Sequence, residues 1–169
     1  MTGFRFILSV ALLLLHTLVY ADPNAEMSDE EPLPVEQAFQ GSVKQLNPQT
    51  LRFTWVIAEG YYLYRDKFSF KSLSAPVQLG EAQYPPGKLK HDEFFGNVET
   101  FRGEVVVKLA LAGSGPGQSV VIAADSQGCA DQGVCYPPTM QKVTIVLPAA
   151  GKGPGPQVDA YPPKKRWFN

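Results

Sequence analysis

Residues 119–147 read S-V-V-I-A-A-D-S-Q-G-C-A-D-Q-G-V-C-Y-P-P-T-M-Q-K-V-T-I-V-L. The two ends, 119–124 and 140–147, are apolar-rich and carry many β-branched side chains, so they read as strands. Between them, Gly128, Gly133, Pro137 and Pro138 punctuate residues 127–138, which marks that stretch as a loop. The simplest fold for the segment is a β-hairpin. Its end carries the only two cysteines of the chain, Cys129 and Cys135, close enough in sequence to bond.

Working outward, residues 50–57 (T-L-R-F-T-W-V-I) form a strong strand after the Asn47-Pro48 turn. Leu51, Phe53, Trp55 and Ile57 share one face of it, the face expected to meet the core. Residues 61–65 (Y-Y-L-Y-R) alternate too, with Tyr62 and Tyr64 on one side and Tyr61 and Leu63 on the other. Further short strands are expected at 42–46, 68–73, 75–79, 98–102 and 104–111, the last two forming a pair or one strand bent at Gly103. Residues 35–39 suit an edge strand or a single helical turn. Residues 90–96 (K-H-D-E-F-F-G) read as a polar loop with two phenylalanines at its tip. No helical period is sustained beyond residue 21. Short strands with turns every few residues predict an all-β fold, an antiparallel β-sandwich of immunoglobulin-like type.

The ends differ from the middle. Arg5, the apolar run 6–15, and Val19 and Ala21 before a small-residue cut together make a signal peptide over 1–21, cleaved after Ala21. That run is short for a membrane span, and no later stretch could cross a bilayer, so stable membrane insertion is not expected. Residues 22–34 are an acidic, flexible lead-in, 35–148 the folded domain, and 149–169 a Gly/Pro-rich tail expected to be disordered or extended. Its basic-aromatic tip, 164–168, suits a frayed terminus. The formal net charge is −1, from 15 basic and 16 acidic side chains, which gives no reason to expect nucleic acid as a partner. Export places the chain under oxidising conditions, where two nearby cysteines pair.

What the pair does is open on spacing alone. As a staple it closes so short a loop that the gain is only about 2 kcal/mol. As an accessible bridge in a glycine-bearing loop it suits exchange. A metal is the weaker alternative, because Cys129, Cys135 and His91 fall short of the four ligands of structural zinc. No cofactor or metal is expected, and no hydrolase constellation is present. Phe94 and Phe95 either tuck into the core or form a lid over the sulfurs. Asp92 and Glu93 beside them are candidates for handling protons, since the thiolate is the attacking species. Tyr62 and Tyr64 either line the same pocket or are ordinary half-buried strand tyrosines.

Three motifs then converge. G-Y-Y-L-Y-R (60–65), H-D-E-F-F-G (91–96) and Q-G-C-A-D-Q-G-V-C-Y-P-P (127–138), in this order, resemble the periplasmic N-terminal domain of the thiol:disulfide interchange protein DsbD. The resemblance runs from about residue 35 to 147. It implies an immunoglobulin-like sandwich with an inserted active-site hairpin and cap loop, and a thiol-disulfide oxidoreductase that passes reducing equivalents to periplasmic acceptors. Those acceptors are a disulfide isomerase and the thioredoxin-like proteins of cytochrome c maturation. It implies that Cys129 and Cys135 are the redox pair, with Cys135 forming the mixed disulfide. Phe94 within Asp92 to Gly96 becomes the cap phenylalanine, Asp92 and Glu93 its neighbouring acids, and Tyr62 and Tyr64 the pocket tyrosines. Phe95 departs from the tyrosine expected there. A chain that stops at Asn169 is expected to be a monomeric shuttle reduced by a separate DsbD-type transmembrane donor, the alternative being a fragment of a longer membrane protein. An immunoglobulin-like binding module with an inert disulfide and a metal-handling accessory protein are the rival functions.

Overall fold

The computed structural model describes residues 31–160, so the expected signal peptide, most of the lead-in and the basic-aromatic tip lie outside the described residues. A single helical turn, Val35–Ala38, opens the domain. The strands follow in chain order: β1 (Phe39–Asn47), β2 (Thr50–Ile57), β3 (Tyr61–Tyr64), β4 (Ser69–Ser72), β5 (Gln78–Gln83) and β6 (Lys88–Asp92). Then come β7 (Gly96–Phe101), β8 (Glu104–Ala112), β9 (Ser119–Ser126), β10 (Gly128–Ala130), β11 (Thr139–Val146) and β12 (Gln157–Asp159). Among the described residues no helix is long and apolar enough to cross a membrane.

These strands build three antiparallel sheets. One has the order β12-β1-β2-β8-β5, the second β10-β3-β7-β6, and the third β11-β9-β4. The fold is therefore all-β, an antiparallel sandwich of immunoglobulin-like type, as the strand pattern predicts. The core lies between the first and third sheets. Leu51, Phe53, Trp55 and Ile57 of β2 are all buried, and with Val105, Val107 and Leu109 of β8 they meet Val120, Ile122, Val143 and Ile145 of β9 and β11. Alternation on β2 is what makes this possible, because a period of two puts every second side chain on one face.

The second sheet carries the features of interest, and the chain enters it at two corners. After β2 the turn through Gly60 leads into β3, and after β7 the turn through Gly103 leads back to β8 in the first sheet. Gly103 has φ +67°, a left-handed conformation that costs a side-chain-bearing residue energy. Residues 98–111 are thus two strands in different sheets, not one bent strand. The expected hairpin of 119–147 forms in full register, from Ser119 opposite Val146 to Ser126 opposite Thr139.

Two expectations are refined by the structure. The stretch 149–169, expected to be disordered or extended, contains the extended strand β12 in its described part, where Val158 stands opposite Val43 of β1. The open edge of β1 supplies the pairing, and Val158 and Ala160 gain packing against the core. The expected loop at 90–96 is instead a tight hairpin: β6 runs to Asp92, β7 starts at Gly96, and only Glu93, Phe94 and Phe95 turn between them.

Candidate functional site

The site begins with β3. All four of its residues are buried, which a strand with a period of two achieves only when both faces are covered. Tyr61 and Leu63 join the main core, while Tyr62 and Tyr64 form a separate cluster with Val98 and Cys129. The tyrosine pair thus packs in a buried cluster around the Cys129 sulfur, with its rings 5.3 Å apart in an edge-to-face arrangement.

Cys129 reaches this cluster because β10 leaves the β9–β11 hairpin and pairs with β3, placing Cys129 opposite Tyr62. Gly128 permits the approach. A Cβ there would lie 2.2 Å from the Tyr62 carbonyl oxygen and 2.9 Å from the Phe39 ring. The loop then folds back on itself, since the Ala130 N–H donates to the Val134 carbonyl at 2.8 Å and the Tyr136 N–H to the Gly128 carbonyl at 3.0 Å. That return brings Cys135 beside Cys129, and the two are joined as a disulfide with Cα atoms 4.0 Å apart. The bridge is asymmetric: Cys129 is 0% exposed, whereas Cys135 is exposed on the surface.

A hydrogen-bonded cluster sits directly behind the buried sulfur. The Tyr64 hydroxyl stands 3.1 Å from Cys129 Sγ and donates to Asp92 Oδ2 at 2.7 Å. Tyr62 donates to the same oxygen at 3.1 Å. Asp92 Oδ1 accepts the backbone N–H groups of Phe94 at 3.0 Å and Phe95 at 3.2 Å. One buried carboxylate therefore ties the tyrosine pair to the hairpin turn. Burial works against its charge, but the hydrogen bonds from Tyr64, the Phe94 N–H, Lys90 and Tyr62 outweigh burial and hold the Asp92 carboxyl well below the usual range. Burial, then the bonds to Tyr62 and Asp92, push the Tyr64 hydroxyl far above the ordinary tyrosine range.

The phenylalanines divide their roles. Phe95 packs edge-to-face on Tyr64 with ring centroids 5.1 Å apart, and Lys67 Nζ lies 4.3 Å from the Phe95 centroid. Phe94 stands at the tip of the turn and is 68% exposed. The ring contact with Tyr64 is thus made by Phe95, the position expected to be a departure, although Phe95 is itself 41% exposed. Glu93 is exposed and separate from the Asp92 network, and Gly96 adopts φ +70° as the turn closes.

Several contributors carry no sequence signal. Lys90 donates to Tyr62 and Asp92. Arg102 grips Asp131, between the two cysteines, through Nη1 at 2.9 Å and Nη2 at 2.5 Å, and lies over the Tyr62 ring. On the other side, the Leu33 N–H donates to the Tyr61 hydroxyl at 2.8 Å and the Leu33 carbonyl accepts from Tyr136, the residue after Cys135. The end of the lead-in is therefore fastened beside the disulfide. No single-position pattern announces such long-range pairs. His91 is exposed and bonded to Asn97, and among the described residues no group of three or more His, Cys, Asp or Glu side chains is arranged to hold a metal ion.

A small β-sandwich with one local disulfide, half sealed and half presented, and a hairpin turn pinned to its buried tyrosine pair, defines a class of disulfide-bearing immunoglobulin-like module. Residues 29–147 match the family model described as the N-terminal domain of the thiol:disulfide interchange protein DsbD, and the chain belongs to that family. It is 42% identical over 130 residues to thiol:disulfide interchange protein DsbD 1 of Pseudomonas aeruginosa, covering 72% of this chain and 22% of that protein. It is 38% identical over 151 residues to DsbD of Ralstonia nicotianae, covering 89% of this chain and 24% of that one. The chain spans about a quarter of the length of these relatives. Among solved structures, the reduced N-terminal domain of DsbD from Neisseria meningitidis matches with TM-score 0.65 and 30% identity, covering 75% of this chain and 94% of that one. A second, with TM-score 0.58 and 31% identity, covering 73% and 91%, is a complex of the DsbD and PilB N-terminal domains from the same organism.

Proposed function

We propose that this domain is a periplasmic thiol-disulfide exchange module that carries reducing equivalents from a transmembrane donor to thioredoxin-like acceptor proteins. The observation that carries the proposal is the asymmetry of the bridge, with Cys129 sealed against β3 and Cys135 open to a visitor. Exchange needs in-line access to one sulfur only, and the other then leaves.

A donor thiolate attacks Cys135 Sγ, the bond to Cys129 breaks, and Cys129 leaves with the electron pair and takes up a proton. A second donor thiol, as thiolate, attacks its own partner sulfur in the mixed disulfide and frees Cys135. The domain now holds two thiols and the donor a disulfide. The sequence runs in the opposite sense on the acceptor: Cys135 attacks, then Cys129 resolves. Residues Asp92 to Gly96 are the cap, with Phe95 seated on the pocket and Phe94 at the rim where a partner arrives. The match to a DsbD domain solved with a PilB domain supports a protein as the visitor.

The test is a redox titration of the chain against a reduced thioredoxin-like domain, read by thiol alkylation. The disulfide should reduce and re-form reversibly within the range of exchange-active proteins. A bridge that stays oxidised below about −300 mV, the range of structural disulfides, would make this an inert binding module instead.

A further inference from the structure

Asp92 is 3% exposed, and its Oδ2 lies one hydroxyl away from the sulfur of Cys129. An unbalanced anion there would hold Cys129 as a thiol, because a second negative charge nearby is disfavoured. Exchange requires the reverse, since Cys129 must attack as a thiolate to release a partner from Cys135. The balancing charge comes from the same strand. Lys90, two residues earlier on the same face of β6, places Nζ 3.3 Å from Asp92 Oδ2 and 3.2 Å from the Tyr62 hydroxyl. Its Nζ also lies 4.6 Å from the Tyr62 ring centroid, and its side chain is 35% exposed, so it joins the network to water.

We propose that Lys90 is a positioning residue for the exchange reaction, whose ammonium group balances the Asp92 carboxylate so that the Cys129 sulfur can carry negative charge in the resolving step. The inference rests on the exchange function proposed above. In that step Cys129 gives its proton to water and its sulfur bonds to Cys135 Sγ. The bond between Cys135 and the partner breaks, and the partner sulfur leaves with the electron pair. The oxidant is the partner's own disulfide.

The other charges nearby are committed elsewhere. Arg102, 5.0 Å from the Tyr62 centroid, is paired in two-pronged fashion with Asp131 of the inter-cysteine loop. Lys67 sits over Phe95, Glu93 is exposed on the turn, and His91 is bonded to Asn97. Tyr62 and Tyr64 donate to the carboxylate as neutral hydroxyls and add no charge of their own. Lys90 is the cation in contact with Asp92, and the hydrogen bond to Tyr62, ahead of the one to Asp92, keeps it charged beyond its ordinary range despite partial desolvation.

The experiment mixes the reduced chain with excess 5,5′-dithiobis(2-nitrobenzoate) in a stopped-flow instrument across neutral to alkaline pH. The first equivalent of chromophore reports attack by the exposed thiol, the second the resolving attack by Cys129. Lys90→Gln should leave the first phase unchanged, slow the second about tenfold at neutral pH and move its pH profile upward, as loss of one nearby unit charge predicts. Lys90→Arg should restore it. Asp92→Asn combined with Lys90→Gln removes both charges and should recover most of the rate, which also controls for a folding defect in the single variant. A second phase in Lys90→Gln that superposes on wild type, or a double variant as slow as the single, would overturn the proposal. A wild-type protein with no second phase would instead sink the exchange function, and this inference with it.

Discussion

Tyr64 and Cys129 touch: the phenol oxygen is 3.1 Å from the sulfur, and both side chains are 0% exposed. The buried sulfur of the disulfide therefore has a hydroxyl as its hydrogen-bonding neighbour. The same hydroxyl is the nearest donor to Asp92, at 2.7 Å. Tyr64→Phe should cost about 1–3 kcal/mol in urea unfolding of the oxidised protein, because it leaves a buried carboxylate short of a donor. The disulfide should still form. Coincident unfolding curves would show that the hydroxyl network adds nothing to the fold.

Gly128 is the second point of dependence. Gly128→Ala drives a methyl group to 2.2 Å from the Tyr62 carbonyl oxygen, a backbone atom that cannot swing away. β10 must separate from β3, and Cys129 with it. The variant should be destabilised by roughly 1–3 kcal/mol, typical of overpacking. Its disulfide should also reduce faster with small thiols, read by timed alkylation, while an equivalent change at Gly153, where nothing lies near the added carbon, should have no such effect.

The pH dependence has two limbs of opposite sign. Asp92 is depressed in the folded chain, so the unfolded chain takes up the proton first; its contribution is full above the ordinary carboxylate value of 3.8 and falls as pH drops below it. Tyr136, through burial and its bond with Tyr61, is pushed up to about 12, and Tyr64 is raised too. Those contributions are full below the ordinary phenol value of 10.0 and are lost as pH rises past it. Unfolding free energies measured across pH should show Asp92→Asn flattening the acid limb and Tyr136→Phe flattening the alkaline limb. Unchanged limbs would contradict these assignments.

The cap predicts a split between neighbours. Phe95→Ala removes the ring seated on Tyr64 and should speed oxidation of the reduced pair by small oxidants about two- to tenfold, in line with the loss of an aromatic contact of about 0.5–1.5 kcal/mol. Phe94→Ala removes a ring that is 68% exposed and should leave thermal stability unchanged while slowing exchange with a thioredoxin-like protein. Equal behaviour of the two variants in both assays would deny the division of labour.

Much of this was legible in the residues, for physical reasons. β2 alternates strongly and buries the face its pattern predicts, while β9 and β11 are legible as apolar, β-branched runs, even though β11 buries Gln141 and exposes Met140. On β3 the alternation correctly separates Tyr61 and Leu63 from Tyr62 and Tyr64. β6 was hidden because its polarity is inverted: Leu89 is 87% exposed, while Asp92 is the buried residue. A rule that buries the apolar side chain reads such a strand as a polar loop. β12 was hidden because three residues among glycines and prolines have no period, and only the distant edge of β1 makes them a strand. The bonds of Leu33 to Tyr61 and Tyr136 span 28 and 103 positions, beyond any local signal.

The most direct test of exchange through one open sulfur is trapping of the mixed disulfide. Cys129→Ala and Cys135→Ala chains, each reduced, are mixed with a thioredoxin-like domain whose disulfide is activated, and adducts are separated on non-reducing gels. Cys129→Ala should form a stable adduct through Cys135, and Cys135→Ala, left with a sulfur at 0% exposure, should form little or none. Equal adducts from both variants, or an adduct from Cys135→Ala alone, would contradict exchange through the open sulfur of Cys135.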